Sequence, residues 1–159
     1  MMDKIAHFFQ QALEAGAIPA DTQLNSAYAM GSTPQEQDEL AALVLAGKKT
    51  ATSSGFELYA KAGDPLPQQG SFDIVLNGHG EPVALTYTDR VEIRSFSAVD
   101  DAHAYREGEG DRTLRYWRRV HETFFAKDYH ASGLVFDPAT AMVVLESFHV
   151  IFPPLRGKA

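Results

Sequence analysis

The apolar residues in the second half of the chain fall into blocks of different period. Phe72 to Leu76, Pro82 to Thr88 and residues 90–96 read as strands, the last through Val91, Ile93 and Phe96. Asn77-Gly78-His79-Gly80 makes a turn between the first two. Leu114, Trp117, Val120, His121, Phe124 and Phe125 then recur at helical spacing. Ala141 to Phe152 is rich in β-branched and aromatic residues and reads as one long strand or two. Strands and helices do not alternate as βαβ units. The pattern favours an α+β fold with a mostly antiparallel sheet or small barrel.

The first half reads as helices and loops. Ile5, Phe8, Phe9, Ala12 and Leu13 give a helix over residues 4–15 that stops at Gly16, an N-terminal helical extension of about residues 1–24. Residues 17–32 show little periodicity and are expected to be loop. Thr33-Pro34-Gln35-Glu36 starts a helix, with Thr33 accepting from the Glu36 amide and Pro34 in the first turn. Leu40, Leu43 and Val44 form its apolar face, and Gly47 suits the left-handed residue past its end. Residues 48–56 look extended, and Gly63-Asp64-Pro65 and Pro67 to Gly70 mark loops. Ser97 is expected to cap a short helix through Tyr105, and Asp111 a longer one. No repeat or long linker divides residues 1–159, so a single domain is expected.

Charge narrows the partners. The 159 residues hold 21 acids and 14 bases, a formal net charge of −7. Duplex-binding proteins draw affinity from neutralised phosphates, so duplex DNA is not expected. Five arginines at 106, 112, 115, 118 and 119 still make one region basic, able to meet a small anionic or nucleotide-like ligand. Without cysteine, thiolate catalysis and cysteine–zinc sites are excluded. No membrane-length apolar run and no secretory leader is visible, and a cytoplasmic protein is expected.

Three places could carry chemistry. Lys49 follows a helix end, where burial would lower its pKa toward that of a general base. Thr52 lies three residues on; in a straight strand the two side chains point to opposite faces, so they meet only if the backbone kinks. Solvated lysines before a threonine-rich strand fit the same spacing. In Glu107-Gly108-Glu109-Gly110-Asp111, a carboxylate at a tight bend could enter a cleft, or the segment could be a plain polar turn. Trp117 and His121 share a helix face, as a stacking platform or as core. The six histidines show no close metal-ligand spacing, so no metal and no other cofactor is expected.

Gly47-Lys48-Lys49-Thr50-Ala51-Thr52 matches the G-x-K-x-x-T signature of the ASCH domain, a relative of the PUA fold. The acidic helix before it, Leu66-Pro67-Gln68-Gln69-Gly70, Glu107 to Asp111, and Leu114 to His121 with Phe124-Phe125 resemble the longer bacterial members. The likeness covers roughly residues 25–153. It implies a PUA-like small mixed or antiparallel β-barrel with helices packed around an open cleft. Small bacterial members resemble amidohydrolases that remove the acetyl group from N4-acetylcytidine. Their lysine, threonine and glutamate map onto Lys49, Thr52 and Glu107. Lys48, Ser53, Tyr105, Arg112, Trp117 and His121 complete the implied substrate-binding set, with Trp117 or Tyr105 stacking on the base. Other members resemble ribonucleases or RNA-binding modules. The implied ligand is a small nucleoside or single-stranded RNA.

Overall fold

The computed structural model describes residues 3–155. Its elements are α1 (Lys4–Glu14), β1 (Ser26–Ala29), α2 (Pro34–Leu45), β2 (Ala51–Gly55), α3 (Phe56–Ala62), β3 (Phe72–Leu76), β4 (Pro82–Ser95), α4 (Asp101–Glu107), α5 (Leu114–Ala131) and β5 (Met142–Phe152). A single 3-10 turn, Phe96–Ala98, links β4 to α4. The strands form one mixed sheet in the order β1-β3-β4-β5-β2, curled into a half-barrel. Among the described residues, only β1 and β3 run parallel. The fold is α+β, as the blocked periods imply.

β4 and β5 are the spine of the sheet. They pair from Leu85 with Phe152 to Ser95 with Met142. Register shifts at Leu85/Thr86 and Thr88/Arg90 bend β4, so the two strands expected over 82–96 are one continuous strand. Alternation sends neighbouring residues to different helices. On β3, Ile74 packs with Ala12 and Ile18 under α1, while Val75 packs with Ala41 and Val44 under α2. On β5, Val143 and Leu145 meet Trp117 and Phe125 of α5, and Phe148 joins the α2 cluster.

Several local expectations hold and others shift. Thr33 accepts from the Glu36 amide at 3.1 Å, while the Glu36 carboxylate reaches back to Ser32. Gly47, with φ 73°, follows α2 in the left-handed region. The stretch expected to be loop contains β1, whose four residues pair with a strand 47 positions away and carry almost no pattern of their own. α3 follows β2 directly, behind Gly55, which has no side chain to announce a cap. α4 is capped by Asp100 rather than Ser97, since the 3-10 turn intervenes. α5 is capped by Thr113 rather than Asp111; the Asp111 carboxylate instead accepts from the Thr113 amide and hydroxyl.

Candidate active site

A cavity of about 860 Å³ opens between the two edge strands of the curled sheet. β1 contributes Ser26 and Tyr28 to its wall, and β2 contributes Thr52, Ser53 and Ser54. Lys49, Glu107, Glu109, His121 and Phe124 line one end, and Asp73, Tyr59 and Glu146 another part of it. The volume suits a drug-sized or nucleoside-sized ligand.

Lys49 enters this cavity because the chain turns before β2 begins. The amides of Lys48 and Lys49 both donate to the Leu43 carbonyl at the end of α2. The Thr50 amide donates to the Arg106 carbonyl, and β2 starts only at Ala51. The side chains of Lys49 and Thr52 therefore need not obey strand alternation, and both line the cavity. Gly108 makes room for the turn. Its φ is 75°, and a Cβ there would strike the Lys48 carbonyl and lie 3.1 Å from the Lys49 Cα.

The Lys49 side chain is 1% exposed and its ammonium is fully engaged. Its Nζ donates to Glu107 Oε1 at 3.1 Å and to Glu109 Oε2 at 2.9 Å. The Glu107 carbonyl lies at 3.4 Å. Burial alone would lower the Lys49 pKa, but the Glu107 and Glu109 carboxylates reverse that and raise it. This corrects the sequence-based expectation: Lys49 is a fixed ammonium, not a free base.

Glu107 is the hub. It is 1% exposed. Its Oε2 accepts from Trp117 Nε1 at 2.6 Å and contacts His103 Nε2 at 2.8 Å and the Ser53 hydroxyl. His121 Nε2 lies 3.5 Å from Oε1. Burial pushes the Glu107 carboxyl up, but Lys49 and His121, with hydrogen bonds from His103 and His121, hold it well below the usual carboxylate range. Burial lowers the His121 pKa, but the Glu107 charge outweighs this and the group is raised. Its Nδ1 faces the Trp117 carbonyl at 2.9 Å, so an imidazolium there donates from both nitrogens.

The implied binding residues divide. Ser53 and His121 line the cavity. Trp117 is 2% exposed, stacked on His121 at 4.3 Å and bound to Glu107, so it supports the hub from behind rather than facing the opening. Tyr105 is exposed on the outer surface with the Arg112 guanidinium 3.6 Å above its ring. Lys48 is exposed, and neither it nor any of the five clustered arginines is among the cavity-lining residues. Arg118 instead ties down the 3-10 turn, donating to the carbonyls of Phe96, Ser97 and Val99.

The sequence reading missed His103, Tyr28, Tyr59, Asp73 and Glu146. The last had a signal: a lone acid amid Val143-Val144-Leu145 and Phe148 on an apolar strand. A possible ligand set also went unseen. Glu107, Glu109 and His121 bring ligand atoms within 4.8 Å of one another. The Lys49 ammonium already supplies positive charge against two of the three.

A curled mixed sheet whose edge strands flank an open cleft, with a buried lysine at the helix–strand junction, defines a PUA-like class of domain. The ASCH domain model matches residues 26–152, and the chain belongs to that family. A crystal structure of an ASCH domain from Lactobacillus crispatus JV V101 superposes with a TM-score of 0.87 at 28% identity, over 95% of this chain and 96% of that one. A protein from Enterococcus faecalis V583 gives 0.85 at 31% identity, over 94% and 89%. No curated protein matches the sequence significantly. Among the described residues, no helix is long and apolar enough to cross a membrane.

Proposed function

We propose that the cavity hydrolyses the acyl amide of an N4-acylated cytosine nucleoside. One observation carries the reading: Lys49 and Glu107 form a buried ion pair at the wall of a nucleoside-sized cavity that Thr52 also lines. An ion pair taken out of water is costly to keep, and such pairs concentrate where charge must be positioned. Electrostatics favours a small ligand without phosphate. Among the described residues, seven acids line the cavity (Glu36, Asp64, Asp73, Glu107, Glu109, Asp128 and Glu146), against Lys49 as the sole lysine or arginine.

Thr52 supplies the hydroxyl that attacks the acyl carbon, or holds the water that does. Lys49 supplies positive charge for the developing oxyanion. Glu109 is the more exposed of its two carboxylate partners, so an arriving acyl oxygen competes with Glu109 for an ammonium proton. Glu107 fixes Lys49 and the Ser53 hydroxyl in place. Release of acetate and cytidine from N4-acetylcytidine, followed by chromatography, tests the assignment. Wild-type turnover should fall at least 100-fold, on the order of one such electrostatic contribution, in Lys49→Ala. Equal rates in the two proteins would sink it.

A second reading draws on the outer face. Arg115 and Arg119 are exposed there, beside Arg112. RNA held on this face would lose affinity steeply with added salt, whereas a neutral nucleoside in the cavity would hardly respond. Salt-sensitive binding of single-stranded RNA without acetylcytidine turnover would favour it.

A further inference from the structure

We propose that Glu146 is the proton-transfer residue of this cavity, taking the proton from the Thr52 hydroxyl and returning it to the departing amine. This rests on the hydrolase reading above and assigns a role that none of the implied Lys/Thr/Glu residues can fill.

Geometry comes first. Thr52 on β2 and Glu146 on β5 are directly opposed in the antiparallel ladder. Opposed residues share a face, with Cβ atoms roughly 4.5–5.5 Å apart. Both side chains line the cavity. A glutamate therefore spans to a threonine hydroxyl, or to a water beside it, without a backbone change.

Elimination comes second. Lys49 carries its proton and gives its N–H groups to two carboxylates. Glu107 has Oε2 occupied by Ser53, His103 and Trp117, and Oε1 by Lys49. The ring of His121 faces the Trp117 carbonyl and Glu107. Glu146 alone of these cavity groups makes no side-chain hydrogen bond or ion pair to another described residue. It is partly buried and free to exchange a proton with a ligand.

The surroundings tune it. Burial, and then the charge of Asp73 on β3, push the Glu146 carboxyl up to about 7. A base of that strength suits proton transfer at neutral pH. The other titratable groups facing it are Tyr28 on β1 and Tyr59 on α3. Burial, reinforced by the Glu146 charge, raises both phenols, so they stay neutral and do not compete as bases. Asp73 is itself held by Asn25 Nδ2 at 2.8 Å and the Ser26 hydroxyl at 2.6 Å.

The step balances without a co-reactant other than water. The ionised Glu146 takes the Thr52 proton as Oγ1 bonds to the acyl carbon. The protonated Glu146 then gives that proton to N4 as the C–N bond breaks, releasing cytidine. Water attacks the threonine ester, again giving a proton to Glu146. Collapse returns it to Thr52 Oγ1 and releases acetic acid, which ionises in solvent.

The test measures kcat and KM for N4-acetylcytidine from pH 5 to 9 in wild type and Glu146→Gln. In wild type, kcat/KM should rise with pH through about 7 and level off. Glu146→Gln should lose about 10²–10⁴ in kcat, keep KM within a few fold, and show no inflection near neutrality. A glutamine variant with the wild-type kcat and inflection overturns the role of Glu146 while leaving the hydrolase reading standing. A wild type that releases no acetate overturns the hydrolase reading, and the proposal with it. A carbon-13 titration of the Glu146 carboxyl checks the group without substrate: a midpoint near the ordinary glutamate value of about 4.3 would also overturn the proposal.

Discussion

The two parts of the cavity handle charge in opposite ways. At the α4–α5 end, Lys49, Glu107, Glu109, His103, His121 and Trp117 satisfy one another, and the central carboxylate is held ionised. Along the β-ladder, Glu146 stands without a described partner, and burial and a like charge push its carboxyl up to about 7. Both carboxyls line the same cavity, so composition does not separate them. What separates them is the number of donors each backbone brings within reach. The paired end is built to keep its charges fixed, and the unpaired end to change its charge.

Removing the hub should cost the most. Glu107→Ala leaves the buried ammonium with Glu109 alone, strands an indole N–H and takes a partner from two histidines, and should destabilise the fold by about 3–5 kcal/mol at pH 7, read from urea midpoints. The folded Glu107 pKa lies below its unfolded value, so this contribution is present above the unfolded pKa and is lost as pH falls through the folded one. The deficit of the variant should therefore shrink in acid. A deficit independent of pH would remove the distinction between the two ends.

Glu146 has the opposite sign. Its folded pKa of about 7 lies above the unfolded value, so stability is full below the unfolded pKa and declines as pH rises through about 7. Glu146→Gln should gain on wild type by about 1–3 kcal/mol at pH 8 and by almost nothing at pH 4, measured as paired thermal or urea unfolding. The comparison must be between variants, since the raised pKa of His121 gives the wild type a loss of the same sign.

Gly108→Ala sharpens the paired end from its backbone. A left-handed φ together with the clash at the Lys48 carbonyl should cost about 2 kcal/mol, while Gly63→Ala, with φ 73° but open space around it, should cost about 1 kcal/mol. Circular dichroism melts of the two variants give the difference. Lys48→Ala should do least. Lys48 is exposed beside the buried Lys49, and its removal should move stability by no more than about 0.5 kcal/mol, checked in the same melts.

What was legible in the chain follows from range. The α5 stripe, β3, the Thr33 cap and the Gly47 stop depend on neighbours within a few residues, and each appears where the pattern places it. β1 and α3 do not: the first is a short edge strand with no alternation, and the second lacks a capping side chain. The Lys49–Glu107 contact joins residues 58 apart and was legible only through family likeness. Spacing alone set Lys49 and Thr52 on opposite faces, because it could not show that the strand begins after Lys49. The raised Lys49 pKa was equally out of reach, since it depends on Glu107 and then Glu109 arriving from the two sides of a glycine turn.

α1 lies outside the span that the family model matches, yet Phe8 and Phe9 pack on the cluster of Ile74 and Leu85. The span that the family model matches is thus smaller than the unit that closes this core. A fragment cut at Ser26 would keep every cavity residue named above except Asn25, and would leave the outer side of β3 and β4 bare. Such a fragment should expose that apolar face to water, so the span of the family model and the span of the closed core draw the boundary of this domain in different places.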